Sequence, residues 1–289
     1  MSTPGPAPAP PPRERAPAFT SVPALALLPA LLTLVLIAGP LLALLLRSPW
    51  GNLPQLLSEP AALAALRLSL LTALASTVIA ALLGTPTALL LATVLEKSRA
   101  RRLAWPLYGL IYTPIIFSPV VSGLALLFFW GRRGLVGSWL DGAGLSVAYT
   151  PLAVVLAQTF VALPFYIATL VTSLRALPTE YAEIARLEGA SPSEVTSAVL
   201  LPLAAPGLLT AAVLAFARAL GEYGATVTFA GNVEGQTRTI PLAIELALSS
   251  NRIEAALGSA LMLMALYLSL LAAGAFALWL ARLKGSYRR

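Results

Sequence analysis

Ionisable side chains are concentrated in one short stretch of this chain, EYAEIARLEGASPSEVTSAVLLP, which runs from Glu180 to Pro202. It contains four glutamates and an arginine, whereas the sequence on either side is almost entirely Leu, Ala and Val. The chain has no Cys, which excludes a disulfide framework and a thiolate metal site. It also has no His, so the usual near-neutral proton carrier and the commonest metal ligand are missing. Both absences argue against a membrane-embedded hydrolase.

Helix start and stop signals divide this charged stretch into two short helices. The first, EYAEIARLEGA, has acidic residues in its first turn and reaches Gly189, where a left-handed residue would end a helix. Ser191 then predicts an N-cap, with Pro192 at the first helical position and Glu194 completing a capping box. The small residues at this corner permit close approach by another surface. The alternative is an ordinary capped loop.

Three further ionisable residues fall inside long apolar segments, namely Arg67, Arg218 and Glu222. A charge at mid-membrane costs at least about 2.5 kcal/mol on insertion scales, so each needs a reason. Arg67 lies near the end of its segment and can extend to the lipid headgroups. Arg218 and Glu222 are four residues apart and can pair on one helix face. That face either lines a path or gate, or holds a structural pair at a dimer interface.

Membrane-spanning helices must position all of these residues. Of the 289 residues, 58% are apolar and only 11% are charged, against about 25% charged in soluble domains. Six segments are long enough to cross about 30 Å of hydrocarbon: 23–46, 62–95, 103–130, 147–175, 204–231 and 254–281. Several contain Pro and Gly, which predicts a bundle of kinked helices. The expected fold class is an all-α polytopic membrane protein with about six transmembrane helices.

The distribution of basic residues predicts the orientation. With both termini in the cytoplasm, the positive-inside rule is satisfied by twelve inner residues against five outer ones. The inner set is Arg13, Arg15, Lys97, Arg99, Arg101, Arg102, Arg175, Arg186, Arg282, Lys284, Arg288 and Arg289, and the outer set is Arg47, Arg132, Arg133, Arg238 and Arg252. The charged stretch then faces the cytoplasm, where its partner must be.

The N-terminal 20 residues form a separate region. Residues 1–20 are rich in Pro and Ala, which predicts a disordered cytoplasmic tail, and residues 21–289 are expected to form one transmembrane domain. The first apolar segment is longer than the core of a signal peptide and has no clear cleavage site. It is therefore expected to remain as an anchor helix.

The charged stretch resembles the EAA loop of binding-protein-dependent ABC importer permeases. The matching residues are Glu183, Ala185, Gly189, Ala190, Ser191, Leu201 and Pro202, and Ile184 stands where the family motif has Ala. The resemblance covers roughly residues 60–280. Two further stretches, Pro114 to Leu140 and Ala217 to Glu245, are similar to the molybdate permease subfamily, which is close to the sulfate and thiosulfate permeases.

The resemblance implies a type I importer fold in which loop 178–203 docks on a cytoplasmic ATPase. The coupling residues carried over are Glu183, Ala185, Gly189, Ala190, Ser191, Pro192 and Glu194. The sequence has no G-x-x-x-x-G-K-[ST] motif, so a separate chain would bind ATP–Mg and hydrolyse it, and this permease would bind no cofactor or metal itself. The implied partners are two ATPase subunits, a second copy of this permease, a periplasmic or lipoprotein oxyanion-binding protein and membrane lipid, with no nucleic acid. The implied location is the bacterial or archaeal inner membrane.

The expected cargo is molybdate or tungstate, which the Gly-Arg-Arg-Gly at 131–134 favours over sulfate by resemblance. A fixed carboxylate would repel a dianion, so Glu222 is expected at a gate with Arg218 instead of touching the cargo. Hydroxyls could solvate a passing oxyanion weakly, as a transport path requires. The candidates are Ser118, Ser122, Thr226 and Thr228.

Two other classes of protein fit this sequence less well. A membrane enzyme would need a cluster of catalytic polar residues, which the apolar segments do not contain. A secondary transporter or channel would need ion-coupling carboxylates within its spans and no docking motif in its inner loop. The EAA pattern argues against that second alternative.

Overall fold

The computed structural model describes residues 24–96 and 101–286, and within these ranges every regular element is helical. The expected all-α fold is confirmed. The predicted tail, residues 1–20, lies outside the described residues, as does part of the basic run at 97–100. Two structural units are distinguished, one ending at Arg47 and the other beginning at Ser48.

The first unit contains α1 (Ala24–Leu46). The second unit contains all the other described helices. These are α2 (Leu53–Ser58), α3 (Pro60–Glu96), α4 (Arg101–Ile116), α5 (Pro119–Trp130), α6 (Gly137–Gly142), α7 (Pro151–Arg175), α8 (Glu180–Leu187), α9 (Pro192–Glu194), a π-helix (Val195–Leu200), α10 (Leu201–Leu203), α11 (Ala205–Leu220), α12 (Gly224–Phe229), α13 (Ile240–Ser249) and α14 (Ile253–Ser286).

Four helices in the described part of the chain are long and apolar enough to cross a membrane by themselves. They are Ala26–Leu46, Pro60–Val94, Pro151–Arg175 and Ile253–Phe276. Two bent helix pairs raise the number to six if each pair makes one span. This agrees with the prediction of about six spans, but two of the predicted spans differ in shape from a single helix.

The predicted third span, 103–130, is broken into α4 and α5, and the helical direction bends by 114° between them. Ser118 lies at the break in an extended conformation, and its hydroxyl accepts a hydrogen bond from the Val121 amide at 3.3 Å. Pro119 follows it at the first position of α5, where a missing amide hydrogen costs nothing. Proline also disfavours helical geometry in the residue before it. The sequence predicts a kink in this span, and the structure makes it a sharp corner.

The predicted fifth span, 204–231, is also divided. Its helix, α11, ends at Leu220, and α12 begins separately at Gly224. Upstream, the helical run Pro192–Leu203 bends by 69° into α11. The turn therefore follows Ala204, slightly beyond Pro202, where the sequence predicted re-entry into the membrane.

Small residues allow the long helices to approach closely. α3, α7 and α11 pack against one another, and Ala73, Ala80, Ala162 and Ala215 are fully buried in this layer. Gly84 faces the Tyr166 ring, and a Cβ added there would come within 2.6 Å of it. Such contacts are how helices associate in lipid, where hydrophobic burial supplies no driving force between them. This layer fixes α11 relative to α7.

A second cluster places α12 beside α5. Leu126 of α5, Val154 and Ala157 of α7, and Ala225 and Phe229 of α12 form this cluster and are buried together. The short helix α12 is therefore held against both neighbouring elements. It carries two of the predicted hydroxyl residues and directly follows Glu222.

Candidate functional site

The helix α8 has two different faces. Ala182, Glu183 and Arg186 line a cavity, whereas Tyr181, Ile184 and Leu187 point outward. The side chains of these three outward residues are 49%, 57% and 86% exposed, respectively. Residues three apart lie on the same side of a helix, so the three form a continuous apolar face, which we call the α8 outer face. An exposed apolar patch of this kind marks a contact surface.

The predicted stop at Gly189 is confirmed. Gly189 has a φ of +89°, and its amide donates to the Arg186 carbonyl at 3.0 Å. The Ala190 amide donates to the Ala185 carbonyl, also at 3.0 Å. These two bonds form a Schellman motif, which satisfies carbonyls at the helix end. A residue with a Cβ would be strained in this left-handed conformation, which accounts for the glycine.

The predicted capping box is also present. The Ser191 hydroxyl accepts from the Glu194 amide at 3.4 Å, and the Ser191 amide donates to the Glu194 carboxylate at 2.7 Å. The Ser191 hydroxyl also lies 2.6 Å from that carboxylate and donates to it. Pro192 occupies the first helical position. A Schellman motif and a capping box thus close both sides of one exposed corner.

Ser191→Ala should weaken this corner locally, by about 1 kcal/mol, because the N-cap acceptor is lost. Hydrogen exchange at the amides of Glu194 and Val195 measures the effect. Ser197→Ala is the control, since that exposed hydroxyl bonds the Ser193 carbonyl from within the helical run. Equal protection in the two variants would contradict a role for the Ser191 cap.

The hydrogen bonds from Ser191 lower the pKa of the Glu194 carboxyl below its usual value, the side-chain bond contributing most. A lowered folded pKa stabilises the corner when the carboxylate is charged. The contribution is therefore complete above the pKa of an unfolded glutamate and is lost as the pH falls through the lowered value.

A cavity of about 510 Å³ lies behind the corner. It is bounded by Leu89 and Leu90 of α3, Leu174 of α7, Leu177 just after α7, and Val195 of the π-helix. Glu183 and Arg186 reach it from α8. The side of the corner that faces α3 and α7 therefore borders empty space.

At the other end of α11, Arg218 and Glu222 form the predicted ion pair. The guanidinium Nη2 lies 2.7 Å from the Glu222 Oε2, and the second carboxylate oxygen, Oε1, accepts from the Ala225 amide at 2.7 Å. Glu222 is 1% exposed, whereas the Arg218 side chain is 31% exposed. One carboxylate therefore joins the last turn of α11 to the first turn of α12, and we call this connection, formed by Arg218 and Glu222, the joint.

Two glycines bring neighbouring elements against this joint. A Cβ on Gly221 would collide with the Tyr267 hydroxyl of α14, and one on Gly224 would collide with Pro119 of α5. The Tyr267 hydroxyl also lies 3.4 Å from the Ala217 carbonyl, to which it donates. The joint is consequently packed between α5 and α14, and either helix would be displaced by a larger residue.

Three of the four predicted hydroxyl residues lie on α5 and α12, which pack together, and Ser118 precedes α5, but their environments differ. Ser118 is exposed and caps α5, while Thr228 donates to the Gly224 carbonyl at 2.9 Å. Ser122 and Thr226 are buried, and their hydroxyl oxygens have no hydrogen-bond partner among the described residues. Burying a hydroxyl without a partner is costly. These two hydroxyls are the ones available to a polar group that enters between α5 and α12.

Gln158 is not among the residues predicted from the sequence, and it lies fully buried on α7. Its carboxamide oxygen accepts from the Ser76 hydroxyl at 3.2 Å, and its Nε2 has no partner within the described ranges. The signal was an amide in an otherwise apolar segment. Arg67, by contrast, is exposed on α3, as expected for a side chain that extends to headgroups.

The structure brings the predicted residues together as two groups. One is the corner from Glu183 to Glu194, and the other is the joint around Arg218 and Glu222. The bend of 69° at the start of α11 connects them through one helix. Within residues 24–96 and 101–286, no three carboxylates come together in a way that could hold a metal ion.

Known proteins with sequences similar to this chain are membrane transport proteins. The model of the family "Binding-protein-dependent transport system inner membrane component" matches residues 84–283. The molybdenum transport system permease protein ModB of Mycobacterium tuberculosis is 44% identical over 227 residues, which cover 78% of this chain and 84% of that protein. The probable transport system permease protein NifC of Clostridium pasteurianum is 32% identical, over 73% of this chain and 72% of the relative.

Solved structures agree on the fold. A chain in the crystal structure of a bacterial alginate ABC transporter, in complex with an alginate pentasaccharide-bound periplasmic protein, matches with a TM-score of 0.64 at 15% identity. The match covers 86% of this chain and 91% of that one. With more than half of its residues matched by the family model, this chain belongs to the binding-protein-dependent transport system inner membrane components and is a multi-pass inner membrane permease subunit of an ABC importer.

Proposed function

We propose that this chain, as a homodimer, forms the membrane path of an ATP-driven importer for molybdate and tungstate. The observation that carries the cargo is the 44% identity to ModB over most of both chains. Sulfate is the alternative cargo. A periplasmic or lipoprotein oxyanion-binding protein would deliver the anion, and the ATP–Mg would be held by two cytoplasmic ATPase subunits.

The α8 outer face is the proposed ATPase contact. Ile184 and Leu187 are large apolar side chains that a monomer leaves in water, and they stand on a corner whose shape is held by the bonds at Gly189 and Ser191. A rigid apolar projection of this kind suits insertion into a groove of a soluble partner. The Ile184 side chain, which departs from the family motif, would be buried there.

Movement of the corner would reach the path through α11. The helical run Pro192–Leu203 leads through the bend into α11, and α11 ends at the joint formed by Arg218 and Glu222. That joint holds α12, which packs against α5 and carries Thr226. The coupling is thus proposed to run along packed elements from the ATPase to the hydroxyls between α5 and α12.

The charges of the joint suit a path for anions. Both oxygens of Glu222 are already occupied, one by Arg218 and one by the Ala225 amide, and the carboxylate is buried. The Arg218 guanidinium is partly exposed, so its remaining N–H groups can face an oxyanion while Glu222 neutralises most of its charge. A nearly neutral pair would bind a dianion weakly, which transport requires.

Elemental uptake in cells that lack this gene, with and without the gene restored, tests the proposed cargo. Restoration at trace concentrations should raise cellular molybdenum and tungsten at least about tenfold and leave sulfur unchanged. A change in sulfur alone would assign the protein to sulfate. Unchanged content of all three elements would contradict the oxyanion cargo and leave the family membership standing.

A further inference from the structure

A second groove lies between α4 and α7, apart from the corner cavity and from the joint at Glu222. Its volume is about 460 Å³, and it opens widely to its surroundings. Its polar lining consists of Tyr108 and Tyr112 of α4 and Thr172 and Arg175 of α7, over a floor that includes Ala168 and Val171. Arg175 is the last residue of α7, so the groove reaches the end of the helix that leads into loop 178–203.

The lining contains a cation and hydrogen-bond donors but no carboxylate. Thr172 donates its hydroxyl hydrogen to the Ala168 carbonyl at 2.9 Å, so its oxygen can only accept. The available donors are the Arg175 guanidinium and the phenol hydroxyls of the two tyrosines. Across residues 24–96 and 101–286, no hydrogen bond or ion pair engages these three groups. A groove with this set of donors is suited to an anion.

The two tyrosines are held in place for such a role. They are four residues apart on α4, and their rings stack with centroids 5.4 Å apart and planes 11° apart. Tyr108 also packs against the core cluster of α3, α7 and α11. Stacked rings lose little further freedom when a ligand binds, which favours binding by their hydroxyls.

We propose that this groove binds a tetrahedral oxyanion group, with the Arg175 guanidinium as its charge partner and the Tyr108 and Tyr112 hydroxyls as additional donors. Two sources share this chemistry. One is the transported oxyanion on its way to the cytoplasm, which rests on the proposed function. The other is the phosphodiester of an anionic inner-leaflet lipid, since Arg and Tyr side chains at the membrane boundary attract such headgroups.

Binding by the purified full-length chain in phosphatidylcholine nanodiscs at low salt tests the site. Equilibrium dialysis with tungstate measures the free oxyanion, and native mass spectrometry after addition of phosphatidylglycerol measures the lipid. Arg175→Gln should weaken whichever ligand binds by about tenfold or more, as expected for loss of a charged hydrogen bond. Tyr112→Phe, which keeps the ring and loses the hydroxyl, should weaken it several-fold. Arg252→Gln is the control, because it removes another exposed arginine far along the chain.

Each of the two binding experiments tests one source of the oxyanion group. Tungstate binding that falls in the Arg175 and Tyr112 variants but not in the Arg252 variant supports a site for free oxyanion. Phosphatidylglycerol binding that falls in the same two variants, with no binding of tungstate, supports a lipid site. The proposal is overturned if neither ligand binds the wild-type protein, or if neither tungstate nor phosphatidylglycerol binding falls in the two groove variants. If Arg175→Gln does not fold, the binding measured for Tyr112→Phe decides between these outcomes. Uptake by the wild-type protein is measured separately, so failure of the groove does not imply failure of the proposed transport.

Discussion

Ile184→Asp should separate this permease from its ATPase. The side chain is 57% exposed on the α8 outer face and would enter the partner's groove, where an aspartate would lose its water without gaining a cation. An unpaired charge buried in an interface costs at least about 3 kcal/mol, which lowers the affinity more than about 100-fold. Copurification of the ATPase with the tagged permease should be lost, together with uptake.

A matched control uses another exposed leucine or isoleucine far from α8. Leu145 lies in the connection between α6 and α7 and is 62% exposed, so Leu145→Asp adds the same charge to a comparable surface. It should leave ATPase copurification unchanged. Membrane levels and size-exclusion profiles of both variants show whether they fold. Retention of the ATPase by a well-folded Ile184→Asp variant would remove the α8 outer face as the docking surface.

The second large effect is expected from Glu222→Gln. The variant keeps an oxygen that can accept from the Ala225 amide, so it removes the charge of the pair with Arg218 while conserving the cap of α12. Arg218 is partly exposed and can recover some hydration, so the expected destabilisation is about 1–3 kcal/mol, below that of a fully buried broken pair. Uptake should fall several-fold, while copurification of the ATPase stays at the wild-type level.

The paired variant Arg218→Met with Glu222→Gln separates stability from transport. It leaves no unpaired charge, so thermal stability should recover most of the loss seen in Glu222→Gln alone. If Arg218 also faces the oxyanion, uptake should stay low in the paired variant despite the recovered stability. Recovery of uptake together with stability would make the pair purely structural. Wild-type uptake by Glu222→Gln itself would remove the gate proposal.

Features that depend on neighbouring residues in the chain were predicted well. Gly189, Ser191 and Glu194 act on backbone groups within five residues of themselves, so their roles follow from local sequence. The same holds for Arg218 and Glu222, which lie one helical turn apart. A kink in the third span was anticipated from its prolines, whereas its position at Ser118 and its angle were not, since both depend on what α5 packs against.

Features that depend on distant residues could not be predicted. Gln158 meets Ser76 across 82 positions, and the groove exists only because α4 packs against the end of α7. A single sequence shows no signal for such pairings, because helices in lipid are brought together by the fit of small side chains. Gly221 and Gly224 indicated a close helix approach or a local break after α11, but the residues that crowd the joint, Tyr267 and Pro119, could not be identified because they come from other helices.

A π-helix at Val195–Leu200 lies directly after the corner and its capping box. A π-helical turn holds about one residue more than an α-helical turn, and such segments are commonly found at functional sites. Conversion of this segment to α-helical geometry would feed one residue into the run ahead of α11, advancing it by about 1.5 Å and rotating it by about 100°. We therefore expect a change between the two helical geometries to shift and turn the run beside the proposed ATPase contact while the run stays helical.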